Sequence, residues 1–314
     1  MANLIIRRLI QTVVVILLVT LLTFFLLQAV PGDPALSMLG IEATQEQVQD
    51  LRRELWLDRP IIVQYVHWLS NTLHGDLGRS LVKNDKVTTL IAQSLPITFY
   101  LSFIALIFGT FLGILGGVLS AVKRGGILDS FISVFANLGL AVPVFWLGIV
   151  GIYLLGLKLD LLYIQGFTWP GEDLVKSIKQ TVMPVFCLAV PALAVMARQT
   201  RSSVLEVVRQ DYVRTAMSKG LKERVVVMRH VLKNALIPVV TILGMQVRVL
   251  VGGSVLVEQV FNIPGMGRLM VNAAFDKDYL LLQGGVLVIA VAVCLANLAV
   301  DLSYSWLDPR IKNA

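Results

Sequence analysis

Residues 9–30 read LIQTVVVILLVTLLTFFLLQAV, twenty-two positions without one charged side chain. As α-helix such a run rises about 33 Å, enough to cross the roughly 30 Å hydrocarbon core of a bilayer. It is longer than the apolar part of a signal peptide and no small-residue cleavage site follows, so it is expected to stay as a membrane anchor. The rest of the chain repeats the pattern. Of 314 residues 56% are hydrophobic and only 15% charged, with mean hydropathy +0.78, where soluble domains carry about 25% charged residues. Five further runs cover about Leu95–Val122, Ser130–Leu157, Thr181–Ala197, Ala235–Val257 and Tyr279–Ser305. Long unalternating runs fit helices rather than barrel strands. The expectation is an all-α polytopic membrane protein with six transmembrane helices.

Cations orient it, because Lys and Arg near the membrane ends stay on the cytoplasmic side. With the amino terminus inside, residues 1–8, 123–129, 198–234 and 306–314 are cytoplasmic and hold 15 of the 27 Lys/Arg. The external segments, longer in total, hold 11, together with 14 of the 20 acids. Both termini are therefore expected in the cytoplasm. This bias also explains most of the formal charge of +7, which argues against nucleic acid as a partner.

The resulting organisation is a cytoplasmic start and first span in 1–30, an external loop in 31–94, a five-helix core in 95–305 and a tail in 306–314. In the external loop Thr44, Glu46 and Gln47 make a helix start, with Val48, Leu51 and Leu55 at helical spacing up to Arg59-Pro60. A second amphipathic segment, Ile61 to Leu73, groups Tyr65, Trp68 and Leu69 and suits packing under the external end of the bundle. In the second span Gly109, Gly113 and Gly117 form a small-residue stripe for close helix approach. Pro143, Pro184, Pro191 and Pro238 are expected to kink or start helices. The chain has no phosphate-binding glycine loop, no paired-histidine or paired-cysteine metal spacing and no nucleophile elbow. Cys187 and Cys294 read as small apolar residues within spans. No catalytic, cofactor-binding or metal site is expected.

Residues 209–238, RQDYVRTAMSKGLKERVVVMRHVLKNALIP, concentrate seven Lys/Arg with only two acids. Charges cost about 3 kcal/mol each inside a membrane, so the loop 198–234 must be aqueous. Its apolar residues nevertheless follow one helical face in each arm: Val204, Leu205, Val208, Tyr212 and Met217 before Gly220, and Val225, Met228, Val231 and Leu232 after it. Two short helices meeting at a glycine elbow are expected. Such a knob fits either anionic lipid or a groove in a cytoplasmic protein, and the residues alone leave both open.

Several segments resemble, in order, the integral-membrane permease subunits of binding-protein-dependent ABC importers of the dipeptide, oligopeptide and nickel branch. They are RRLIQTVVVILLVTLLTFFLLQAVPGDPA (7–35), LDRPIIVQYVHWL (57–69), HGDLGRSL (74–81), VLVEQVFNIPGMGRLM (255–270), DYLLLQGGVL (278–287) and NLAVDLSYSWLDPRI (297–311). The basic loop resembles that branch's form of the EAA motif, as DYVRTAMSKGL (211–221) and RHVLKNALIP (229–238). Ala216 and Gly220 take the motif's second Ala and its Gly, while Arg214 and Thr215 replace its Glu and first Ala.

The resemblance implies the ABC importer permease fold and transport of peptides, with nickel or another metal chelate as the alternative cargo. It implies a second permease subunit, two ATPase subunits carrying ATP and magnesium, and an external substrate-binding protein. Asp211, Tyr212, Arg214, Ala216, Gly220, Leu221, His230 and Asn234 become the residues that couple to an ATPase. Arg248, a charge inside the fifth span, is a candidate translocation-pathway residue that would attract a peptide carboxylate; its alternative is an ion pair with the second permease subunit.

Overall fold

The computed structural model describes residues 2–29, 34–39, 43–80 and 82–307, without the side chains of residues 2–5, 34, 37–38, 247–253 and 301–307. In chain order the helices are α1 Ala2–Gln28, α2 Pro34–Leu39, α3 Gln45–Glu54, α4 Ile61–Leu73, α5 Val87–Val122, α6 Ile127–Ala141, α7 Val144–Gly151, α8 Leu174–Val208, α9 Asp211–Ser218, α10 Glu223–Val226, α11 Leu232–Val260, α12 Met266–Phe275 and α13 Tyr279–Leu307. π-helical segments Ile152–Lys158 and Val227–Val231 follow α7 and α10. One short antiparallel hairpin pairs Arg79 with Lys86 (β1 Arg79–Ser80, β2 Asp85–Lys86).

Among the described residues five helical segments are long and apolar enough to cross a membrane, and a sixth span is present if the bent pair formed by α6 and the α7–π segment counts as one. The expected third span over Ser130–Leu157 is this pair, broken at Pro143, one of the prolines expected to kink or start a helix. α6 and the segment Val144–Lys158 meet at 102°. The break falls at Val142, extended at φ −81° and ψ 125°, just before Pro143 at the start of α7. Proline disfavours helical backbone in the residue before it and cannot donate to the preceding turn. Pro184, Pro191 and Pro238 lie inside continuous helices.

The fourth span is also longer than expected. Asp173 caps it by accepting the Lys176 N–H at 2.9 Å, and the helix runs eleven residues past Ala197 to Val208. The first part of the basic loop is therefore a rigid extension of a span.

The chain divides into two compact units, residues 1–97 with 264–314, and residues 98–263. In the first unit α13 packs against α1 and α12. The capping box of Thr44 and Gln47 starts α3 as the sequence indicates. α4 lies against α1 through Phe24, Tyr65 and Trp68. Two hydrogen bonds hold it there, Thr20 to Tyr65 at 3.0 Å and Gln28 to Gln64 at 3.1 Å. Asp278, buried at the start of α13, accepts from the Ser80 hydroxyl and from the Leu281 N–H at 3.2 Å.

In the second unit α8 is the most buried span and contacts α6, α7 and α11. The glycine stripe of α5 meets it directly. A Cβ on Gly113 would sit 2.7 Å from the Leu193 carbonyl, and one on Gly117 2.5 Å from that of Ala197. Only glycine permits backbones this close.

Candidate functional site

The site grows from the end of α8. Arg209 caps that helix, Gln210 adopts extended backbone, and α9 starts at Asp211. α9 ends at Ser218 with Lys219 as its cap, and Gly220 follows at φ +76° with its N–H donated to the Met217 carbonyl at 2.9 Å. That left-handed backbone is the usual helix stop and favours glycine. α10 and the π segment then carry the chain into α11.

Each arm of the elbow has two apolar faces. Val213 and Ala216 of α9 and Val226 and Val231 beyond Gly220 are buried, packed with Val204 of α8, Ala121 of α5 and Ala235 of α11. Tyr212, Met217, Leu221, Val225 and Met228 are between 41% and 62% exposed. This corrects the single apolar face read from the sequence: a short helix turns about 100° per residue, and neighbouring apolar positions divide between core and surface. Ala216 belongs to the core side.

The remaining expected residues form a surface around it. The Asn234 amide donates to the Tyr212 hydroxyl at 2.8 Å and to the His230 carbonyl at 3.3 Å, tying α9 to the start of α11. Asp211 and Arg214 form an exposed pair 3.8 Å apart, the kind worth little to stability. Leu221 follows the elbow and is exposed, and His230 is half-buried. Arg248 falls within α11, and its side chain lies outside the described residues.

Sequence reasoning missed the feature that braces this end of the bundle. Asp129, in the first turn of α6, is buried and gripped by Arg201 of α8 through two parallel bonds, Nε to Oδ1 at 2.8 Å and Nη2 to Oδ2 at 2.9 Å. The Ser120 hydroxyl at the end of α5 and the Gly125 N–H, at 2.9 Å, also donate to this carboxylate. One acid thus joins α5, the following turn, α6 and α8. Its available signal was the single acid beside the short basic turn at 123–126. Glu258, near the end of α11, is fully buried and accepts from Thr98 of α5 at 2.7 Å, an inter-helix bond.

Residues 113–313 match the family described as binding-protein-dependent transport system inner membrane component, and residues 1–102 match its amino-terminal companion. The chain is 39% identical over 308 residues to a probable peptide ABC transporter permease of Sinorhizobium fredii, covering 98% of each. It is 36% identical over 326 residues to the dipeptide transport system permease protein DppB of Alkalihalophilus pseudofirmus, again covering 98% of each. Among solved structures it resembles the inward-facing MetNI methionine ABC transporter, with TM-score 0.58 and 20% identity over 70% of this chain and 97% of that one. An amino acid ABC transporter gives TM-score 0.53 and 18% identity over 71% and 94%. The polytopic helical fold, the basic elbow after a long buried span and the full-length matches agree: the chain belongs to the family of binding-protein-dependent transport system inner-membrane components.

Proposed function

We propose that the chain is a permease subunit of an ATP-driven importer that moves peptides across the cell membrane. The observation that carries this reading is end-to-end similarity to peptide and dipeptide permeases at 36–39% identity. In this reading the chain pairs with a second permease subunit, an external binding protein delivers cargo, and two ATPase subunits supply ATP hydrolysis. Both termini and the elbow at Gly220 face the cytoplasm, in keeping with the cation excess of those segments.

The elbow is the coupling element. Its exposed apolar residues Tyr212, Met217, Leu221, Val225 and Met228 enter an ATPase groove, and Arg214, Lys219 and Arg224 around them fix the register. Movement of the ATPases reaches the spans because the inner face of the same elbow is packed on α8 and α11. A shift of α9 then carries both helix ends with it instead of being absorbed by a loose loop.

The test is reconstitution. The chain, co-expressed with a second permease, ATPase subunits and a binding protein of the same family of importers from the same genome, is placed in proteoliposomes and given a labelled dipeptide and ATP. Uptake that needs ATP and the binding protein is expected. Uptake by this chain alone, driven by an ion gradient, would overturn the reading.

A further inference from the structure

Between α6 and α8 the second unit holds an open cavity of about 720 Å³ beside the Asp129–Arg201 pair. Its α8 wall carries Arg198, Arg201, Ser202 and Arg209, and its α6 wall carries Ser133 and Asn137. Arg201 spends Nε and Nη2 on Asp129, which leaves Nη1 without a protein partner among the described residues. The Arg198 and Arg209 guanidiniums likewise have no partner among the described residues and are exposed. Glu206 is the one acid in the wall. With Asp129 counted, three guanidiniums meet two carboxylates, so the cavity is net positive and rich in donors.

The same two walls also carry apolar side chains, Ile132 and Ala136 of α6 and Leu205 of α8. At the same end of α6, Ile127, Phe131 and Phe135 stand outward with at least 55% of their surface uncovered. Exposed apolar side chains on a span of this kind suit the acyl region of a bilayer. A cationic, hydroxyl-lined recess therefore adjoins an apolar strip at the cation-rich end of two spans. A free phosphate would satisfy the first part only; a phospholipid satisfies both.

We propose that this cavity binds an anionic phospholipid from the cytoplasmic leaflet. Arg198, Arg209 and the free edge of Arg201 hold the phosphodiester and headgroup, and Ile132, Ala136 and Leu205 line the first part of an acyl chain. The site matters because Arg209 and Gln210, at the junction of α8 with α9, belong to its wall. A bound lipid braces that junction, so the lipid stiffens the path between the elbow and the spans. The side of the membrane rests on the orientation proposed above.

The test uses the full-length protein, purified with the partners that co-elute and placed in nanodiscs of phosphatidylcholine with or without phosphatidylglycerol. Native mass spectrometry is expected to find phosphatidylglycerol retained by the wild type. Removing either arginine, as Arg198→Gln or Arg209→Gln, should lower retention about fivefold, since a cation near an anionic surface contributes about 1 kcal/mol. Arg224→Gln, on the elbow and away from the cavity, should leave retention unchanged. Equal retention by wild type and the Arg198→Gln/Arg209→Gln double variant would overturn the proposal. So would displacement of the lipid by millimolar inorganic phosphate, which would make the site one for a free anion. Cross-linking of Arg198→Cys to an ATPase subunit would also overturn it, since the cavity would then be filled by protein. Retention is read without transport, so a failure of peptide uptake with retention intact counts against the importer reading alone.

Discussion

Arg201 and Asp129, 72 positions apart, face each other through two parallel bonds of 2.8 and 2.9 Å, the bidentate geometry that guanidinium and carboxylate make best. Asp129 is buried while the Arg201 side chain keeps 33% of its surface, so the pair is anchored on the acid. Removing the arginine strands a buried carboxylate, a loss of about 3 kcal/mol. Arg201→Ala is expected to lower the melting temperature in detergent more than Arg201→Ala combined with Asp129→Asn. A double variant at least as damaged as the arginine variant would show that the pair is not the brace.

Close approach of α5 and α8 depends on Gly113. An added methyl would lie 2.6 Å from the Met196 Cβ as well as against the Leu193 carbonyl, and neither is the free end of a flexible chain. Overpacking of this kind costs about 1–3 kcal/mol. Gly113→Ala should reduce the yield of monodisperse protein and its thermal stability, and Gly113→Leu should abolish both. The neighbouring Gly116, whose added Cβ would meet only Ile132 at 3.6 Å, should tolerate alanine.

Gly220 makes the opposite test. A side chain there meets nothing within 4 Å, yet the backbone is left-handed. Gly220→Ala should cost about 1 kcal/mol through backbone strain alone, whereas Gly220→Asn should cost less. Thermal melts of the two variants rank them; equal losses would mean that the elbow does not need this backbone.

The two faces of the elbow should separate genetically. Leu221→Asp and Met228→Asp alter exposed positions and are expected to leave membrane insertion and melting temperature unchanged while abolishing co-purification with the ATPase subunits. Val226→Asp puts an unpaired charge in a fully buried position and should prevent folding. Tyr212→Phe removes only the acceptor for Asn234. About 1 kcal/mol of stability is at stake, and peptide-stimulated ATP hydrolysis should fall while basal hydrolysis persists.

Asp278 gives the chain a pH dependence outside its spans. Burial pushes its carboxyl above the usual range, against the bonds from Ser80 and Leu281 that favour the charged form. The folded state therefore holds the proton more tightly than the unfolded chain. This contribution to stability is complete below the ordinary carboxylate range near pH 4 and is lost as pH rises through the folded value. Melting curves from roughly pH 4 to pH 8 should show Asp278→Asn gaining on the wild type as pH rises. A constant difference across that range would refute the assignment.

Much of the fold is legible in the sequence because a bilayer makes its demands locally. Every span must be long, apolar and internally hydrogen-bonded, so runs such as Leu9–Val30 declare themselves without tertiary information, and the starts of α3 and α4 follow from Thr44 with Gln47 and from Pro60. The elbow at Gly220 is equally local, since a helix stop depends on a few adjacent residues. Its sidedness is not. Whether Ala216 or Met217 turns inward depends on where Val204 and Ala121 arrive from elsewhere in the chain. The bend before Pro143 and the continuation of α8 to Val208 are likewise settled by packing, for Pro184 and Pro191 carry the same local penalty inside an unbroken helix.

By itself, then, the sequence determines that this is a helical membrane protein with several apolar runs long enough to cross, and where a basic knob interrupts them, because each property is set within about twenty consecutive residues; the permease reading comes from resemblance to a family, not from that local pattern. Tertiary structure alone decides that Asp129 meets Arg201, that Gly113 lies against the Leu193 carbonyl, and which elbow residues are left for a partner. Those pairings join residues far apart in the chain, and no local pattern encodes the distance between them.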